Sequence, residues 1–467
     1  MMASAGQLDR SRRPAPGAAP TIRLPRFLRL RLANGLRVLA VRHDNLPEVS
    51  ARLVLPYGAA EDPRGRAGVA LLVARALTEG TTERSAGEVA EWLDLLGARF
   101  RVDVNHDATT LSLRFLSHVL HGAFELLAEV VSRPAFDAKE VDRLRDERLD
   151  EIASGLDEPR VVASLRLGEA TFGEHPYGVR AGGAEETVRE INADVLSDYH
   201  SRFYRPSGAT LILVGDVPER DELRQRLETV FQAWQGDPED AGELAEPEIP
   251  EARRLRAVQW SGPQSEIRVG GVGISRADQD YPAVQVMNAI LGGLFSSRIN
   301  MNLREERGWT YGAGSHFDAR KRRGPYYIAT AVDAKVTVDA IREILAEMER
   351  MQAEPPSDEE LELAKNALTL SLPRLFETVG QVSGRVAQQV IYGLPDNYWE
   401  LYPEQVRAVT QTNVQLLAER LLSTRRTAII VVGPIRDFHA ELETLGPLEI
   451  QDIHGRAAGL LPGRAAP

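Results

Sequence analysis

The chain repeats itself. A segment containing Val195-Leu196-Ser197-Asp198-Tyr199-His200 leads into Thr210-Leu211-Ile212-Leu213-Val214-Gly215, and one containing Val414-Gln415-Leu416-Leu417-Ala418-Glu419-Arg420 leads into Thr427-Ala428-Ile429-Ile430-Val431-Val432-Gly433. Each reads as a helix followed by a buried-type strand that ends in glycine. The two glycines stand 218 positions apart, which implies a domain duplicated at that period. At 467 residues the chain exceeds one ordinary core, so two such units fit its length. Between the copies, residues 235–250 are acidic, rich in proline and free of periodicity, the composition of a linker. The expected division is a disordered segment at 1–22, a first domain at 23–234, a linker at 235–254, a second homologous domain at 255–454 and a disordered tail at 455–467.

In the first copy, residues 29–42 predict two strands around an Asn34-Gly35 turn, a strong hairpin signal. Further strands are expected at 49–55 and 109–115, and helices at 68–77, 88–96 and, broken near Pro134, across 123–154. The second copy predicts strands at 267–272, 312–318 and 326–333, helices at 281–291 and 338–351, and a run of helices from Ser357. Strands grouped with helices, rather than strictly alternating with them, mean an α+β fold: two homologous domains, each a mostly antiparallel sheet packed with helices.

Bulk chemistry narrows the function. A net charge of −12 argues against nucleic acid as a partner, because phosphate binding wants a basic face. With no cysteine there is no disulfide, thiolate metal site or cysteine nucleophile. No apolar run is long enough to cross a bilayer, and the first residues lack the apolar stretch of a signal peptide, so a cytoplasmic location without membrane attachment is expected. Neither a Gly-x-Ser-x-Gly elbow nor a Gly-x4-Gly-Lys-Ser/Thr loop occurs.

Residues 68–81 (GVALLVARALTEGT), followed by Arg84-Ser85-Ala86 and Leu95-Leu96-Gly97, resemble the pitrilysin/insulinase metallopeptidases, the inverzincins whose helix carries His-x-x-Glu-His. Helical metal sites need two imidazoles three or four positions apart so that both share a face. On the family register the two histidine positions hold Leu71 and Arg75, and the general-base position holds Ala74. Leucine offers no donor atom, alanine no base, and a guanidinium stays protonated and repels a cation. The third ligand position of the family falls on Glu151, 77 residues beyond Ala74, and the expectation is that Arg75 pairs with it in place of the lost metal. The resemblance extends over roughly residues 28–435. It takes in His175-Pro176-Tyr177-Gly178, Tyr204-Arg205-Pro206 and Asn288-Ala289-Ile290-Leu291-Gly292-Gly293-Leu294-Phe295-Ser296-Ser297-Arg298. It implies a LuxS/processing-peptidase-like fold, and it places the family's transition-state-stabilising arginine and tyrosine on Arg304 and Tyr311. A phenol can donate to a developing oxyanion, and an arginine can grip a carbonyl or carboxylate.

What the resemblance implies is the non-zinc-binding subunit of a heterodimeric zinc metallopeptidase. This chain would bind no metal, and zinc would sit in a homologous partner carrying the intact motif. Peptide would bind as a strand added to a sheet edge. The alternative is a catalytically inactive peptidase-like scaffold or peptide-binding interaction protein. His43, His118, His121, His200, His439 and His454 are expected on the surface or in packing. His106 is placed in a turn at Asn105-His106-Asp107, and Arg320-Lys321-Arg322-Arg323 is read as a solvated hairpin tip, with contact to an acidic partner or substrate as its functional alternative.

Overall fold

The computed structural model describes residues 27–459. The segment expected at 1–22 lies outside them. Two six-stranded sheets form. The first contains β1 (Leu28–Arg31), β2 (Arg37–Arg42), β3 (Glu48–Leu55), β4 (Arg99–Val104), β5 (Thr109–Leu116) and β6 (Thr210–Gly215), in the order β1-β2-β6-β3-β5-β4. The second contains β7 (Arg254–Gln259), β8 (Gln264–Val272), β9 (Ala313–Phe317), β10 (Pro325–Asp333), β11 (Ala428–Gly433) and β12 (Leu448–Gln451), in the order β12-β7-β11-β8-β10-β9. Most neighbours are antiparallel; β2/β6, β7/β11 and β7/β12 are parallel. The fold is α+β. Five strands of each sheet follow one plan, and the sixth breaks it. β1 arrives from the N-terminal side and runs antiparallel to β2, whereas β12 arrives from the C-terminal side and runs parallel to β7.

The Asn34-Gly35 turn joins β1 to β2, with Gly35 at φ +89°, a conformation glycine adopts without a Cβ clash. Asn34 fixes it in place: its Nδ2 donates to the carbonyls of Phe231 (3.0 Å) and Trp234 (2.9 Å). β4 was not predicted. Its charged residues, Arg99, Arg101 and Asp103, alternate with partly buried Phe100, Val102 and Val104, as suits a strand at a sheet edge. The helix expected at 281–291 is α-helical over Tyr281–Asn288 and then widens into a π turn at Ala289–Gly293. Gly292 permits this, because a Cβ there would lie 2.4 Å from the Ser315 backbone nitrogen in β9.

Each half lends a helix to the other. The Val379–Tyr392 helix lays Val379, Val382, Val386 and Ala387 on Val41, Val54, Ile212 and Val214 of the first sheet. The Pro159–Phe172 helix lays Val162, Ala163, Leu167 and Ala170 on Val258, Ala428, Ile430 and Val432 of the second. This explains the unbroken apolar runs of the two repeat strands. Leu211 and Leu213 of β6 face the first half's own core, and Ile212 and Val214 face the borrowed helix. β11 divides in the same way between Ile429, Val431 and Ile430, Val432. A strand covered on both faces cannot alternate polar with apolar.

Within the stretch expected as a disordered tail, Ala457 bridges Gln451 and the Ala458 N–H donates to the Ile450 carbonyl at 2.8 Å. Among the described residues no helix is long and apolar enough to cross a membrane.

Candidate functional site

The helix of the degenerate motif spans Val69–Ala76. Its N-terminus is capped from a distance: Asp62 accepts hydrogen bonds from the backbone of Gly68 (2.7 Å) and Ala70 (2.8 Å). Burial pushes the Asp62 carboxyl up to about 7 despite those two donors. Ala74 is buried and Leu71 half-buried, so neither offers anything to a ligand. Arg75, in the last turn, reaches the neighbouring Ala138–Leu156 helix, where its Nη1 donates to Glu151 Oε1 at 2.9 Å. This is the pairing expected from the sequence. Glu151 is clamped from its other side by Arg148 Nη1 at 2.8 Å, and Arg148 Nε donates in turn to the Gly182 carbonyl at 2.8 Å. Partial burial alone would raise the Glu151 carboxyl; the hydrogen bonds from Arg75 and Arg148 outweigh it and hold the group below the usual carboxylate range. These residues do not fit a zinc ion: one carboxylate is already shared by two cations, and the two histidine positions carry no nitrogen ligand. Among the described residues no three His, Asp or Glu side chains gather to hold a metal.

The two arginines do unequal work. Arg75 is partly solvated, so Arg75→Ala should cost no more than about 1 kcal/mol. Glu151→Ala strips the almost fully buried Arg148 of the one carboxylate that pairs with it among the described residues and should cost about 1–3 kcal/mol by urea unfolding at pH 7. A carboxylate held below its ordinary range stabilises the fold above that range and stops doing so as acid protonates it. The Glu151→Ala deficit should therefore shrink as pH falls below the ordinary carboxylate range; a deficit constant down to the pH of acid unfolding would contradict the assignment.

Arg304 and Tyr311 lie on the second half, in the approach to the edge strand β9. Arg304 belongs to a π-helical turn, Met301–Glu306, a geometry frequent at functional sites. Its guanidinium sits 4.4 Å from the Phe295 ring centroid, and Phe295 is 64% exposed. Asn300 ties this region together: its Nδ2 donates to the Phe295 carbonyl (2.6 Å) and its Oδ1 accepts from the Ala313 backbone (3.2 Å). Arg298 anchors the turn through two hydrogen bonds to Glu360, at 2.6 and 3.0 Å, which hold that carboxyl at about 2. Tyr311 is 96% exposed and makes no hydrogen bond or ring contact among the described residues. Its hydroxyl is therefore uncommitted. No hydrogen bond joins Arg304 to Tyr311, or either to the Arg75–Glu151 cluster, among the described residues.

A second polar constellation escaped the sequence reading. The basic run 320–323 is not a solvated tip: it docks the second half onto the first. Lys321 donates its backbone N–H to Asp107 Oδ2 (2.9 Å) and its Nζ to the Pro56 carbonyl (2.9 Å). Tyr177 donates its hydroxyl to Asp107 Oδ1 and accepts from the Arg322 backbone at 3.2 Å. The outward charges meet the acidic linker, Arg322 pairing with Glu243 and Glu246 and Arg323 with Glu246 at 3.2 Å. The acidic linker and the basic run were both visible in the sequence, and their opposite charge was the one signal that could have joined them. His106 belongs to this packing: it contacts the Val179 carbonyl at 2.8 Å and lies edge-on to Tyr177, and burial lowers its pKa to about 4. His200, against the Val131 carbonyl, is likewise pushed by burial to about 4. Both imidazoles are neutral at physiological pH.

The family model described as insulinase (peptidase family M16) matches residues 37–184, and the one described as peptidase M16 inactive domain matches residues 190–368. An uncharacterized zinc protease of Bacillus subtilis, YmxG, is 24% identical over 405 residues, covering 86% of this chain and 97% of that protein. One from Mycobacterium tuberculosis is 26% identical over 408 residues, covering 87% and 93%. A solved peptidase M16 inactive domain from Pseudomonas fluorescens superposes with a TM-score of 0.82 at 29% identity, covering 88% of this chain and 98% of its own. A protease from Helicobacter pylori reaches the same TM-score at 18% identity, covering 88% and 100%.

Proposed function

Because this chain belongs to the insulinase (M16) peptidase family and forms a peptidase-like scaffold, we propose that it is the non-zinc subunit of a two-subunit zinc metallopeptidase. The observation that carries the reading is the contrast between its two halves. The motif helix of the first is closed by the Arg75–Glu151–Arg148 ion pairs, while the second keeps Arg304 supported on Phe295 and leaves the Tyr311 hydroxyl uncommitted. In this reading a homologous partner with the intact His-x-x-Glu-His motif would hold the zinc, whose contribution would be activation of a water molecule for attack. From this chain, Arg304 grips the substrate backbone and Tyr311 donates to the oxyanion as charge develops. An edge strand such as β9 offers unpaired backbone groups on which an extended peptide can add as a further strand. The substrates would be unfolded peptides, met in the cytoplasm.

Co-expression with a zinc-motif relative tests this. The chain alone should carry no zinc and cleave no peptide, and the pair should do both. A mixture that cleaves equally well without this chain would leave the scaffold reading, in which the same surface binds peptides or proteins without catalysis. Zinc in the purified single chain would contradict the assignment of Leu71, Ala74 and Arg75.

A further inference from the structure

Where the family register would put its metal, this chain gathers more positive charge than one carboxylate balances. Arg75 and Arg148 share Glu151. A third guanidinium, Arg180, is half-buried, close enough to Arg148 and Glu151 to feel both charges, and donates no hydrogen bond among the described residues. Burial, and then the neighbouring Arg148, disfavour its charge; Glu151 only partly compensates. One glycine makes the room: a Cβ at Gly182 would come within 2.4 Å of Arg148 Nη2. Arg180 Nη1 lies beside Gly155 of the same Ala138–Leu156 helix, 3.7 Å from where a Cβ there would stand. Arg180 is not sealed in: with Arg64 it borders a cleft of about 600 Å³ beside Pro176 and Val179. Two acids also line that cleft. Asp62 has both oxygens committed to backbone donors, and Glu174 is exposed. A half-buried guanidinium with no acceptor among the described residues, next to another cation and open to a cleft, is an incomplete ion pair.

We propose that the converted metal site is a carboxylate-binding site, in which Arg180, backed by Arg75 and Arg148, receives a peptide carboxylate from the cleft. The group's source is either a chain terminus or an acidic side chain, since both present the same two oxygens to a planar guanidinium. The inference takes from the peptidase reading only the choice of peptides as ligands.

The test uses the purified chain without a partner. A short neutral peptide is titrated calorimetrically in three forms: free acid, C-terminal amide, and amide carrying one internal glutamate. A carboxylate form should bind about tenfold tighter than the neutral amide, the scale of one charge-assisted hydrogen bond, and which form does so identifies the source. Arg180→Gln should erase the difference while leaving thermal unfolding unchanged, because it removes no intramolecular hydrogen bond. Equal binding of all three forms, no binding of any, or a preference that survives Arg180→Gln overturns the inference. Loss of cleavage by a reconstituted pair, with the carboxylate preference intact, would count against the two-subunit reading alone.

Discussion

Tyr311→Phe should slow turnover by the reconstituted pair through a barrier about 2–4 kcal/mol higher, roughly 30- to 1000-fold, with KM nearly unchanged. A phenylalanine keeps the ring and removes only the hydroxyl, so the loss falls on an interaction made as the oxyanion forms. The folded state should not register the change. Tyr311 is 96% exposed and makes no hydrogen bond or ring contact among the described residues, so the variant should unfold at the wild-type temperature. That separation makes the measurement informative. A drop in kcat accompanied by lost stability would point to packing, and unchanged kcat would remove Tyr311 from the chemistry. Arg304→Ala should behave differently: it also removes the stack on Phe295, and an arginine that grips ground-state carbonyls should raise KM as well as lower kcat.

Asp107→Ala should be the most destabilising single change outside the apolar cores. Asp107 is 2% exposed and accepts from two donors, the Tyr177 hydroxyl and the Lys321 backbone N–H, one from each half of the chain. Alanine leaves the buried Tyr177 hydroxyl without its acceptor, at about 1–3 kcal/mol, and the partly buried Lys321 N–H without its own, at somewhat less. Arg322→Ala, whose partners Glu243 and Glu246 are largely solvated, should cost less than about 1 kcal/mol. Urea unfolding of the two variants compares them directly. Because Asp107 joins the halves, its loss should also loosen them, read as an increased radius of gyration in solution scattering. A wild-type midpoint for Asp107→Ala would mean that the basic run is not held where the structure places it.

Much of the site was legible because its logic is local or carried by register. Leu71, Ala74 and Arg75 lie within one and a half turns, so the absence of ligands was readable from side-chain chemistry, and counting to Glu151 was enough to expect the ion pair. Arg148, which completes the clamp, lies three residues before Glu151 on the same helix and could have been found by helical spacing alone. The basic run could not be placed in this way. Taken by itself, Arg320-Lys321-Arg322-Arg323 before Gly324-Pro325 has the composition of a solvated turn, and its acceptor on Asp107 is 214 residues away. The π turn at Ala289–Gly293 was equally hidden, since it goes with β9 crossing close to Gly292.

By itself the sequence determined the duplicated α+β plan, which follows from periodicity. The emptied metal motif, and the places proposed for Arg304 and Tyr311, came from the family resemblance together with which atoms each side chain owns. The tertiary structure alone decided that each half covers the other's sheet, that the basic run latches onto Asp107 and the acidic linker, and that Arg180 has no hydrogen-bond acceptor among the described residues. Such features are set by burial and by which distant groups share a dielectric environment, and neither is a property of any short stretch of chain.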